Sequence, residues 1–183
     1  MPRDALLDKV LAYAAEHGIA DKSLREIATG VGTSHRMLLY HFGSREGLLA
    51  ALVGTVEEQQ RGVLTALATG PDDDGAAVML RLWEQVSQPD LRPFVRLFFA
   101  TVGLAVQGVP GTEGFLGNLT APWLDRGGEA QRHLGLPVDR AALRLGVAVT
   151  RGLLLELIAG TEPADVDASY RLFVQMWQGF APR

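Results

Sequence analysis

Apolar residues recur at intervals of three and four through most of the chain, and nowhere is the two-residue alternation of a half-buried strand sustained. The pattern predicts an all-α protein of about nine helices. The first runs from about Arg3 to Glu16, with Leu6, Leu7, Val10, Leu11 and Ala14 on one stripe and His17-Gly18 as its stop. Ser23 heads a second helix reaching about Val31, and Glu26, three residues on, completes a capping-box pattern. Gly32-Thr33 forms a turn, after which Ser34 caps a short third helix to about His41. Gly43-Ser44 breaks the chain before a fourth helix opens with Arg45-Glu46.

That fourth helix extends to about Ala68 and ends at Thr69-Gly70-Pro71. The acidic run Asp72-Asp73-Asp74-Gly75 lacks the alternate spacing of a calcium loop and reads as helix capping. Further helices are expected over about 76–87, 91–107, 113–134, 139–159 and 164–180. The organisation divides into a small domain over residues 1–43 and a larger helical domain over residues 44–183.

Within the first part, two short helices flank a tight glycine turn, and they can cross steeply only if the residues at the crossing are small or apolar. Ala28 falls where the helices touch, Gly32 allows the turn, and Leu38 plugs the third helix into the core beside Ile27 and Val31. Ser34, His35, Arg36, Tyr40 and His41 are then left facing away from that plug, as suits a helix lying in a DNA major groove.

Charge at first opposes a nucleic-acid partner, because the net value is -4 and DNA binding rests on neutralising phosphates. The distribution changes the picture. From Lys22 to Arg45 the basic residues Lys22, Arg25, Arg36 and Arg45 stand against Glu26 alone, with His35 and His41 among them. Beyond Val56 the chain carries 11 basic and 15 acidic residues. A basic footprint thus precedes an acidic body.

The segment SLREIATGVGTSHRMLLYHFGSREGLLAAL resembles the DNA-binding region of the TetR/AcrR family of bacterial regulators. The likeness lies in the ordered set Ile27-Ala28, Gly32, Ser34, Leu38, His41-Phe42 and Ser44-Arg45-Glu46 followed by Leu48 and Leu49. Arg36 stands where the family often has Gly, Leu39 where it often has Tyr, and Thr33 where it often has Val. The resemblance implies that Ser23 and Arg25 touch phosphate and that Tyr40 and Arg45 clamp the DNA backbone, contacts that position without specifying sequence. His35 and Arg36, long polar donors at the exposed start of the third helix, are the candidates for base edges, arginine being the best bidentate partner of guanine. Ser34 and His41 complete the DNA-facing set. The resemblance further implies a repressor whose effector swings the fourth helix, separates two reading helices and releases DNA.

Composition removes several other chemistries. Cysteine is absent, so no disulfide or thiolate site can form, which fits a reducing cytoplasm. His17, His35, His41 and His133 lack metal-ligand spacing with a third partner. No HExxH, GxSxG or P-loop is found, so neither an enzyme nor a bound cofactor or metal is expected. No apolar run approaches the roughly 18 residues of a membrane span and no signal segment opens the chain.

The last two helices are apolar over more than one face, through Leu143, Val147, Leu154 and Ile158 on one and Tyr170, Phe173, Val174 and Trp177 on the other. Two such hairpins paired across a two-fold axis would form a four-helix bundle, giving a homodimer with reading helices about one DNA turn apart, as a palindromic operator on double-stranded DNA requires. Aromatic residues concentrate in the middle helices, and Trp83, Phe98, Phe99 and Trp123 are candidates for the wall of a pocket taking a small hydrophobic or aromatic effector. The competing reading is a helical protein-interaction adaptor without DNA binding, which the acidic body and only two lysines, Lys9 and Lys22, would suit.

Overall fold

The computed structural model describes residues 2–19, 21–68 and 74–180. Among them are nine α-helices, namely α1 (Arg3–His17), α2 (Leu24–Gly30), α3 (His35–Phe42), α4 (Arg45–Leu67), α5 (Gly75–Val86), α6 (Arg92–Val106), α7 (Ala121–His133), α8 (Arg140–Ala159) and α9 (Pro163–Phe180). The helix boundaries expected from periodicity hold within one or two residues except at α7. That helix begins at Ala121, not near Glu113, because the preceding stretch turns through Gly111 and Gly114 at positive φ and a short 3-10 turn at Leu116–Asn118. Pro122 then falls in the first turn of α7, where its missing N–H costs no helical hydrogen bond. Of the acidic loop, Asp74 caps α5 by accepting the Ala76 N–H at 3.0 Å, as a capping role requires. Thr69-Gly70-Pro71 and Asp72-Asp73 lie outside the described residues.

The chain forms two compact units. The first comprises residues 1–57 and 93–116, so the start of α4 and nearly all of α6 pack with α1, α2 and α3. Leu6, Val10, Ile27, Leu38, Leu48, Leu52 and Leu97 are its most deeply buried apolar residues. The turn after α6 comes close to the start of α4. A side chain at Gly111 would collide with the Ser44 hydroxyl and lie 3.0 Å from the Gly47 nitrogen, so this approach of backbones requires glycine.

The second unit comprises residues 58–92 and 117–183. One of its cores joins Trp83 and Val86 of α5 to Leu157 of α8 and Val166, Tyr170 and Val174 of α9. Another gathers Ala68, Val78, Ala130 and Leu134, with Leu64 and Leu67 of α4 packed against them. Gly127 of α7 faces the Leu143 side chain so closely that a Cβ there would lie 2.7 Å from Leu143 Cδ2. Among the described residues no helix is long and apolar enough to cross a membrane.

Leu38 tests the first core most directly, being wholly buried on an eight-residue helix. Leu38→Ala is expected to destabilise the first unit by about 2–5 kcal/mol, the usual range for emptying a leucine site in a core. A denaturation midpoint unchanged from the parent would show that α3 is not held by this plug.

Candidate nucleic-acid interface

The start of α2 is fixed by a reciprocal cap. The Ser23 hydroxyl donates to Glu26 Oε2 at 2.6 Å and accepts the Glu26 N–H at 3.3 Å, while the Ser23 N–H donates to the same carboxylate oxygen at 2.8 Å. These bonds hold the Glu26 carboxyl below its ordinary pKa, the side-chain bond from Ser23 being the largest cause. The capping box expected from sequence is therefore formed. It also occupies the Ser23 hydroxyl, so this residue shapes the helix end that the exposed Arg25 decorates.

The turn that follows is closed by the Thr33 N–H, which donates to the Ala28 carbonyl at 2.9 Å, with Gly32 at φ +68°. Ile27, Ala28, Val31 and Leu38 are all buried. Ser34 caps α3 by accepting the Met37 N–H at 3.1 Å. Leu38 and Phe42 form the buried side of α3, whereas Ser34, Arg36, Leu39 and Tyr40 are exposed and His35 and His41 are half-buried. His41 lies among rings, 5.0 Å from Tyr40 and 6.2 Å from Phe42 between centroids. The surface so formed presents Arg25 and Arg36 to solvent one helix apart.

Arg45 has a role the sequence did not disclose. Its Nε–H donates to the Lys22 carbonyl at 2.8 Å, joining the first turn of α4 to the segment before α2, and its Nη1 lies 3.9 Å from Glu46 Oε1. Ser44 caps the same turn by accepting the Gly47 N–H at 2.9 Å. Arg3 adds a further tie, its guanidinium lying 5.2 Å from the centre of the Phe42 ring.

Residues 6–52 match the family of bacterial regulatory proteins, tetR family. The match covers about a quarter of the chain, the part that holds α1, α2, α3 and the start of α4. No curated protein matches the chain. Among solved structures, a transcriptional regulator from Rhodococcus sp. Rha1 is similar at a TM-score of 0.72 and 18% identity, over 98% of this chain and 97% of that one. SmeT, the repressor of the Stenotrophomonas maltophilia multidrug efflux pump SmeDEF, is similar at 0.63 and 23% identity, over 100% and 91%. The multidrug binding protein EbrR complexed with ethidium is similar at 0.70 and 21% identity, over 95% and 96%. These likenesses show a shared fold over essentially the whole chain.

The remaining expected site residues are distributed unevenly. Trp83 is 2% exposed, stacks on Tyr170 with centroids 4.4 Å apart, and donates its indole N–H to Asp167 Oδ1 at 3.2 Å. It is a core residue of α5 and α9. Phe98 and Phe99 meet edge to face at 5.1 Å in the first unit, Phe98 also facing Phe115 at 6.4 Å. Trp123 is half-buried in the second unit. Beside it sequence reasoning missed Arg61, buried on α4, whose guanidinium lies 5.8 Å from the Trp123 ring and pairs with Glu58 Oε2 at 2.8 Å. Arg126 of α7 also reaches Glu58, and the two cations hold that carboxyl below its ordinary pKa, the hydrogen bond from Arg61 being the largest cause. Gln60 Oε1 is buried without a hydrogen-bond partner among the described residues. An arginine and a glutamine on the apolar side of α4 were the available signal.

The eight expected interface residues also divide. Tyr170 and Val174 are buried inside the second unit, and Leu143, Val147, Leu154, Ile158, Phe173 and Trp177 are half-buried. The large apolar residues left exposed on α8 and α9 are Leu145, Leu155, Leu172 and Met176.

Two measurements separate shape from recognition here. Since Glu26 is held below its ordinary value, its stabilising effect is complete above that value and is lost as the pH falls through the folded one. Glu26→Gln is therefore expected to flatten the acid limb of the pH–stability curve, and an unchanged limb would count against the cap as its source. Arg45→Ala should lower stability by about 1.5–3 kcal/mol, the usual worth of a hydrogen bond to a charged group, and weaken binding to all DNA sequences alike. Arg36→Ala should instead relax sequence preference with little effect on stability. Competition binding with thermal melting checks both, and identical behaviour would refute the division.

Proposed function

We propose that this protein is a DNA-binding transcriptional regulator that works as a homodimer, repressing from a palindromic operator and released by a small hydrophobic or aromatic effector. One observation carries the reading: a capped helix-turn-helix whose short third helix buries Leu38 and Phe42 and turns Arg36 and Tyr40 outward. Arg25 at the exposed start of α2 supplies a phosphate contact, while Ser23 and Arg45 support the geometry that presents it. His35 and Arg36 remain the candidates for base edges, with Ser34 and His41 beside them. The reading belongs to residues 1–43, and effector binding and dimer formation to residues 44–183.

The exposed Leu145, Leu155, Leu172 and Met176 support pairing of α8 and α9 with a second copy, because large apolar side chains left in water are stabilised by being covered. The aromatic effector draws support from Trp123, and Gln60 Oε1 offers a buried acceptor to a ligand donor. SmeT represses an efflux pump and EbrR is a multidrug binding protein, which favours the same class of compound here. The protein acts in the cytoplasm, where DNA is reached, and no catalytic step is assigned to it.

Selection of bound duplexes from a random library tests the reading. The expected product is a palindrome with half-site centres about one DNA turn, roughly 10 base pairs, or a multiple of that apart. Affinity should fall steeply with salt as phosphate contacts release counterions. Dimeric, folded protein that enriched nothing at low salt would overturn the proposal.

A further inference from the structure

The outward face of α3 is defined by its inward one. Leu38 and Phe42 are buried four residues apart, and at about 100° of rotation per residue the position between them lies about 160° from each. That position is Tyr40, which is 80% exposed. Arg36, one turn earlier, shares the stripe and is exposed as well. Leu39 stands on the flank, being only 37% exposed. When a helix enters a major groove, the stripe opposite its buried side meets the groove floor and the base edges, and the flanks meet the sugar–phosphate walls. The Tyr40 ring is also steadied, with the His41 imidazole edge-on to it at 5.0 Å and 74°.

We propose that Tyr40 is a base-reading residue whose ring packs on the C5-methyl group of a thymine, in place of the backbone clamp that the family resemblance implies. Only thymine carries a methyl group on the major-groove edge, and an aromatic ring is an apolar partner for it. Four residues of helix rise about 6 Å and one base-pair step about 3.4 Å, so this thymine lies within about two base pairs of the guanine taken by Arg36. The inference rests on the DNA-binding reading and specifies part of its half-site.

The test replaces each thymine of the selected half-site in turn by uracil, which differs only in lacking the methyl group. One position is expected to weaken binding of the parent protein about fourfold per half-site, the equivalent of one methyl group returned to water. Tyr40→Ala should bring that thymine-to-uracil ratio to about one with melting unchanged, as befits a side chain 80% exposed, and the melting curve separates lost recognition from misfolding. Tyr40→Phe should keep the ratio whatever its absolute affinity, since the ring remains. Uracil indifference at every position, a half-site without thymine, or a Tyr40→Phe loss common to all sequences would overturn the inference while leaving DNA binding intact. Failure to bind any duplex would overturn both.

Discussion

The one-sided burial of an eight-residue helix is the constraint on which the exposed face of the helix-turn-helix depends. Helix α3 is too short to be stable by itself in water, so its existence and its rotation are set by what it buries. Leu38 and Phe42 do this, and the residues opposite them are presented by default. A rotation of one residue, about 100°, would bring Leu39 to the core in place of Leu38 and turn the exposed stripe of Arg36 and Tyr40 to the side. The tight turn through Gly32 and the bond from Thr33 to the Ala28 carbonyl limit that rotation by fixing where α3 begins.

Around this helix, polar groups are used mainly to hold backbone in place. Ser23 and Glu26 satisfy one another at the start of α2, and Ser34 and Ser44 satisfy the first turns of α3 and α4. Arg45 spends its Nε–H on the Lys22 carbonyl. This positive charge is thus a strut, whereas Arg25 and Arg36 are turned to solvent. The single acid among these bases, Glu26, is absorbed by the cap, where its charge also suits the positive end of the helix.

The larger part of the chain poses the opposite problem, with more apolar surface than one pattern can orient. Tryptophan, tyrosine and phenylalanine can line a cavity or fill a core with similar sequence signatures. Trp83 is resolved toward the core by its stack on Tyr170 and its bond to Asp167. Trp123 instead lies beside a buried arginine, an arrangement in which the cation gains from the ring face and from Glu58. Polar residues on the apolar side of α4 identify the chemically distinctive part of this region better than aromatic content does.

By itself the sequence determined the elements: period, caps and glycine breaks are local, and they placed nearly every helix and the Ser23–Glu26 cap. Residues 113–120 were misassigned because their apolar spacing resembles a helix, while Gly111 and Gly114 at positive φ and the packing around them favour turns. The tertiary structure alone decided which face of a doubly apolar helix is covered. Tyr170 and Val174 went inward, and Leu145, Leu155, Leu172 and Met176 were left in water. It also decided that Arg45 grips a carbonyl and that Arg61 lies against Trp123. The physical reason is the range of the interactions: a cap or a turn is closed within about four residues, whereas burial depends on which distant surface arrives to displace the water.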